Sequence, residues 1–256
     1  MYGATGIIYP DLLVTIGDYQ FDQGISLKTY IDRNRPFDWG KISFSNPYKE
    51  HIQVQAQDEI SIQLGYDGEL QEVFVGNVVD GYDGYNAMNE IMFKDRTLKL
   101  EKTYISGTFI GCTPQDILLE GLRLAGIEEY HLSQTQYVPL TVTIKNKNMI
   151  QVLKQINTAW GLDIKSGFIK GVFYWGEIPE QSEILEFEYA NNIISLDKVN
   201  NQWELVTVSI PSLQHSQKIQ VTHPRLSGIF ETEKIIFMTN DAGFIRTRIY
   251  FEGTPL

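Results

Sequence analysis

Residues 58–79 read Asp-Glu-Ile-Ser-Ile-Gln-Leu-Gly-Tyr-Asp-Gly-Glu-Leu-Gln-Glu-Val-Phe-Val-Gly-Asn-Val-Val. Ile60, Ile62 and Leu64 alternate with Ser61 and Gln63, a period of two that gives a strand one apolar and one polar face. After Tyr66, the pair Asp67-Gly68 tolerates the positive φ angles of a tight reversal. Glu72 to Val79 is β-branched and aromatic and returns the chain; Gly76 in its middle leaves room for a close backbone approach or a bulge. These features predict a long antiparallel hairpin with Ile60, Ile62 and Leu64 packed. Strands of this length expose edges that must be covered, charged or paired.

More strands follow from the same period on either side. Leu12, Val14 and Ile16 alternate and end at the Gly17-Asp18 turn; Ile25 to Tyr30 and Trp39 to Phe44 are separated by Asn34-Arg35-Pro36. Asn46-Pro47 marks the next turn, then Ile52 to Gln57 reads as extended. Asp80, Gly81, Asp83, Gly84 and Asn86 form a polar turn cluster before a strand at Glu90 to Asp95. Residues 1–105 are thus predicted all-β, as a barrel or sandwich. The texture changes at Thr113-Pro114-Gln115-Asp116, a hydroxyl cap, a first-turn proline and a first-turn carboxylate. Leu118, Leu122 and Ala125 continue at helical spacing to Gly126; a second helix runs from near Asn148 through Met149, Leu153, Ile156 and Trp160 to Gly161. Tyr137 to Ile144 reads as a strand, and Leu162 to Lys165 with Ile169 to Trp175 as a hairpin turned at Ser166-Gly167. Residues 106–176 are therefore a small α/β module. After a linker at Glu177 to Gln181, which contains Pro179, residues 184–256 return to β, with strands at Ile193–Leu196, Glu204–Ile210, Lys218–Thr222, Lys234–Thr239 and Phe244–Phe251. The class is mainly β (α+β), in the order β, α/β, β.

Composition narrows function mostly by exclusion. The chain has 256 residues, 43% hydrophobic, enough to bury a core. Its 32 acidic against 21 basic residues give a net charge of −11, which disfavours sequence-specific nucleic-acid binding. Cys112 is the only cysteine, so no internal disulfide or cysteine metal cluster forms, and a buried structural role is expected. No signal peptide pattern occurs at Met1 to Pro10, and no apolar run approaches the ~20 residues of a spanning helix, so a soluble protein made in the cytoplasm without membrane insertion is expected. His51, His131, His215 and His223 form no metal-binding pair, and Glu72, Asp80 and Asp83 lack calcium-loop spacing. There is no Gly-x-Ser-x-Gly and no phosphate-cradling glycine loop. Glu183, Glu186 and Glu188 fall on a solvated strand face. No catalytic, cofactor or metal residue is assigned, and none of these functions is expected.

Four phrases, in order along nearly the whole chain, carry a resemblance. They are Asp58 to Gly68 with Val73-Phe74-Val75-Gly76-Asn77-Val78; Thr113 to Leu118 with the Leu153 to Leu162 helix and turn; Phe187-Glu188-Tyr189-Ala190-Asn191-Asn192-Ile193-Ile194; and Gly243-Phe244-Ile245-Arg246-Thr247. In these the chain resembles the tail baseplate hub proteins of phages and phage-derived contractile particles, the late-control-protein-D-like family. The resemblance implies two tail-tube-like β-barrel domains, 1–105 and 177–256, flanking the inserted module 106–176. It implies a homotrimeric ring adapting a sixfold tail tube to a threefold spike, located in the virion tail baseplate and made in the bacterial host cytoplasm. Implied partners are the tail tube and spike proteins, with tape measure and baseplate wedge proteins, and DNA only as passing cargo; acidic side chains lining the bore would let DNA slide. No spike β-helix or lysin is read in these residues, so both are expected to belong to other proteins. Tyr66, Asp67 and Gly68 at the hairpin tip, with Gly76, are the expected assembly contacts. The competing classes are a carbohydrate hydrolase on a β scaffold, and a receptor-binding tail module presenting Trp39, Tyr82 and Tyr85.

Overall fold

In the first β region the strands are β1 (Pro10–Ile16), β2 (Tyr19–Phe21), β3 (Ile25–Asp32), β4 (Trp39–Phe44), β5 (Glu59–Tyr66), β6 (Glu69–Val78) and β7 (Glu90–Asp95). β1, β3, β4 and β7 alternate buried and accessible side chains, as the period of two requires. The middle of the chain holds α1 (Thr97–Lys102), β8 (Tyr104–Cys112), α2 (Pro114–Leu124), β9 (Tyr130–Leu132), β10 (Leu140–Asn148), α3 (Met149–Trp160), β11 (Ser166–Ile169) and β12 (Val172–Trp175). The last region adds β13 (Leu185–Glu188), β14 (Ile193–Val199), β15 (Gln202–Val208), β16 (Lys218–His223), β17 (Leu226–Thr239) and β18 (Ile245–Glu252). This computed structural model describes residues 9–45, 51–82, 90–177, 179, 183–240 and 243–254. The expected turn at Asn46-Pro47, the cluster from Asp83 to Asn86, Gln181 of the linker, and Pro255 and Leu256 lie outside the described residues.

The chain divides into two compact units, Met1–Lys94 with Glu180–Leu256, and Asp95–Pro179. In the first, the strands follow the path β14-β15-β18-β17-β3-β4-β7-β6-β5-β1-β2, with β13 and β16 branching from β17. The junction is the antiparallel pair β3–β17, where Lys28 meets Met238 and Asp32 meets Lys234. It joins strands from the two ends of the sequence. Among the described residues the path stays open, with antiparallel neighbours throughout it and no closed barrel. Neither β region closes on itself here because β3 and β17 spend their free edges on each other. Beneath the sheet, side chains of both regions, such as Ile42 and Phe93 with Phe237 and Ile249, form one apolar cluster.

The second unit has its own cluster, from Leu100 through Ile117, Leu122, Met149 and Ile156 to Trp175. Both longer helices begin as their sequences dictate. Thr113 and Asp116 form a reciprocal capping box on α2, and Asn148 and Gln151 form another on α3. Gly161 ends α3 in the left-handed conformation.

Several elements depart from expectation. Ile52 to Gln57 is not a strand: Val54 makes a single bridge to Tyr82, and Gln57 turns the chain with φ +75°. Ile52 and Val54 are nonetheless buried, so their alternation reflects packing without a ladder. The hairpin β11–β12 turns at Lys170-Gly171, both at positive φ, while Ser166 and Gly167 lie inside the strand. The strand expected at Tyr137–Ile144 begins at Leu140 and runs to Asn148. Helix α1 and strands β8 and β9 were not foreseen: α1 spans under two turns, too short to show a period.

Candidate functional site

The hairpin tip is held by several independent ties. Asp67 (φ +53°) and Gly68 (φ +86°) both occupy the left-handed region, as a two-residue reversal requires. The Asp67 carboxylate accepts from the Tyr9 amide at 3.1 Å, and the Asp67 amide donates to the Tyr9 carbonyl at 3.1 Å. The Gly68 amide donates to the Asp11 carboxylate at 2.6 Å. Tyr66 reaches away from the turn: its Oη accepts from the Ser209 amide at 2.8 Å, linking β5 to the C-terminal β region. A Cβ on Gly68 would meet nothing within 4 Å, whereas one on Gly76 would lie 2.1 Å from the Lys94 carbonyl oxygen. Gly76 therefore permits the close approach of β6 and β7 inside this chain. Gly65, which the sequence did not single out, does the same across the hairpin, where a Cβ would lie 2.0 Å from the Glu69 carbonyl oxygen.

The other candidates are scattered. His131 stacks on Tyr174 in the second unit, while His215 and His223 lie in the first. Burial, with the nearby Arg33 charge, holds the His215 imidazole below its ordinary range. Among the described residues no group of three or more His, Cys, Asp or Glu is placed to hold a metal ion. Cys112 is buried and donates weakly to the Leu140 carbonyl at 3.4 Å; burial pushes its thiol up, away from the reactive thiolate. Glu183, Glu186 and Glu188 are exposed. Of the aromatics named for receptor binding, Tyr82 is 3% exposed and packs on Phe44, Trp39 stacks on Tyr30, and Tyr85 lies outside the described residues. A cleft of about 570 Å³ in the second unit is lined by Thr113, Gln115, Tyr130, His131, Tyr137 and Glu177, among others.

One feature of the first unit escaped the sequence entirely. The ladder registers align outward-facing side chains into two unbroken rows across six strands. One row is Val208, Arg246, Met238, Lys28, Lys41 and Met92. The adjacent row is Val206, Arg248, Ile236, Tyr30, Trp39 and Lys94. Five of these positions are cationic and none is acidic. The only signal in the sequence was that Lys28, Lys41, Arg246 and Arg248 each occupy the polar phase of an alternating strand. Their convergence depends on register, above all on β3–β17.

No protein-family model matches this sequence, and no curated protein is significantly similar to it. Solved structures do match. The 43 kDa tail protein of prophage MuSo2 from Shewanella oneidensis superposes with a TM-score of 0.68 at 12% identity, covering 94% of this chain and 97% of that one. A tail protein from Neisseria meningitidis MC58 gives 0.66 at 12% identity, covering 95% and 96%. An Escherichia coli component of the type VI secretion system, described as structurally similar to the phage T4 tail proteins gp27 and gp5, gives 0.63 at 8% identity, covering 94% of this chain and 76% of that one. The chain therefore has the fold of phage and prophage tail proteins.

Proposed function

We propose that this chain is a non-enzymatic structural component of a phage or phage-like tail, and specifically its baseplate hub. The observation that carries this reading is the fold likeness, which extends over 94% of the chain to a prophage tail protein and to a secretion component compared with gp27 and gp5. In this reading residues 1–105 and 177–256 act as two tail-tube-like, barrel-type halves, with 106–176 inserted between them. Three copies of two similar halves present six quasi-equivalent units, which lets one ring meet a sixfold tube above and a threefold spike below. A closed ring also gives a partner to the edges at β14 and β2, which are open among the described residues. The tip residues Tyr66, Asp67 and Gly68 meet a neighbouring subunit, with Gly76 setting the path of the strand that carries them. The partners are the tube and spike proteins, with tape measure and wedge proteins around them and DNA passing through the centre.

Mass measurement in solution and electron microscopy test the hub. The expected result is a trimer with threefold rings, alone or on addition of tube or spike protein. A stable monomer that binds neither protein sinks the reading.

A further inference from the structure

The two rows crossing β15, β18, β17, β3, β4 and β7 form a band about 24 Å long at ~4.8 Å per strand. Arg246, Arg248, Lys28, Lys41 and Lys94 lie on it without a carboxylate among its twelve positions, on a chain with 32 acidic and 21 basic residues. The carboxylates stand at its borders: Glu90 pairs with Lys41 at 2.8 Å, and Glu204 with Arg248 at 3.6 Å. Lys28 and Lys41 are directly opposite across β3–β4, and Lys28 is exposed. Like charges at opposed positions destabilise a sheet; Glu90 offsets the Lys41 charge, while Lys28 stays exposed to a further anion. Of the apolar members, Val208 and Met92 are exposed, Val206 and Met238 are half-buried and Ile236 is buried; none of them adds a competing hydrogen-bond group.

We infer that this band binds the phosphodiester backbone of nucleic acid, without reading base sequence. Net charge argues against such binding only where charge is evenly spread; a local stripe of one sign governs what approaches it. An acidic protein surface is the poorer match, because charged residues, lysine in particular, are depleted from the cores of protein interfaces, whereas nucleic-acid interfaces are strongly positive. The two aromatic members are occupied with each other, Tyr30 and Trp39 stacking at 4.3 Å and 12°, which leaves the phosphates rather than the bases as the contacted groups. The inference rests on the strand registers and stands apart from the tail reading.

The test is fluorescence anisotropy of the full chain with labelled single-stranded and duplex oligonucleotides of arbitrary sequence, from about 50 to 200 mM salt. Up to five phosphate contacts predict micromolar binding at the low end, sequence-independent, weakening about 10²- to 10³-fold across that range. Lys28→Glu with Arg246→Glu, confirmed folded by circular dichroism, is expected to weaken binding more than ~10-fold and reduce the salt slope by about 2. Lys154→Glu, an exposed cation on α3, is expected to leave both unchanged. Absence of binding at 50 mM salt, or binding that the double variant keeps with its full slope, overturns the inference. So does a parent that ignores DNA but loses self-association in the double variant, since the band is then a protein interface. A stable monomer that binds neither tube nor spike protein, yet still binds DNA through the band, sinks the hub and leaves the band standing.

Discussion

In the second unit, sequence neighbours do most of the folding: Thr113 caps its own helix, Asn148 caps the next, and β11 turns directly into β12. In the first, Lys28 must find Met238 and Ile31 must find Ile235 before the sheet is continuous. Such pairings carry the entropy of closing a long loop before any contact repays it. The first unit therefore relies on features that make one register far better than its neighbours. Close backbone approaches at glycine are one; the core alternation, which a one-residue slip would turn to solvent, is the other. Each unit is brittle in a different place: the first at interstrand spacing, the second at local caps.

The sharpest way to break this contrast uses one glycine from each unit. A Cβ at Gly76 would sit 2.1 Å from the Lys94 carbonyl oxygen, which is backbone and cannot move without opening β6 from β7. Gly76→Val is expected to cost at least ~3 kcal/mol or to prevent the first unit from folding, measured by urea denaturation. At Gly121 on α2 the Cβ would sit 2.2 Å from Met149 Sδ and Cε, the mobile end of a thioether. There Gly121→Ala gains about 1 kcal/mol of helix propensity against a rotamer shift, and a net change within ~1 kcal/mol is expected. Equal losses from the two variants would erase the distinction. Tyr66→Phe comes next. It leaves the buried Ser209 amide without the Tyr66 acceptor and is expected to cost ~1–3 kcal/mol, lowering the urea midpoint without changing the slope.

Legibility in the sequence followed the same division. The long hairpin was readable because alternation and Asp67-Gly68 are local, and Ile60, Ile62 and Leu64 are all buried as expected. The caps at Thr113 and Asn148 were readable for the same reason. Lys170-Gly171 lost to Ser166-Gly167 because both pairs look like turns, and only the pairing of Phe168 with Phe173 decides between them. The β3–β17 seam and the cationic band had no local signature: Lys28, Arg246 and Arg248 looked like ordinary solvated positions until register put them on one face.

Thr113→Ala removes the side-chain half of the capping box on α2 and is expected to cost ~1 kcal/mol. In hydrogen exchange the first-turn amides of α2 should lose protection while those of β3 and β17 do not. Spread of the effect to β3 and β17 would mean the units are not energetically separate.

His215 gives the smallest and most selective probe of the first unit. Burial lowers its pKa first, Arg33 lowers it further, and Asp32 opposes both. The folded imidazole therefore resists a proton that the unfolded chain accepts near pH 6.5. More protons bound in the unfolded state means stability rises with pH. The contribution is complete above about pH 6.5 and is lost as pH falls from there toward the lower folded value. Urea midpoints from pH 5 to 8 should slope upward through this window in the parent and be flatter in His215→Gln. Carboxylates titrate in both proteins, so the difference between the two curves isolates the imidazole. The slope should appear in probes on β15 and β16, which flank His215 in sequence, and not in probes on α2 or α3. An equal slope in the helices would show that protonating one side chain loosens the entire chain, and the two-unit description would fail at its weakest perturbation.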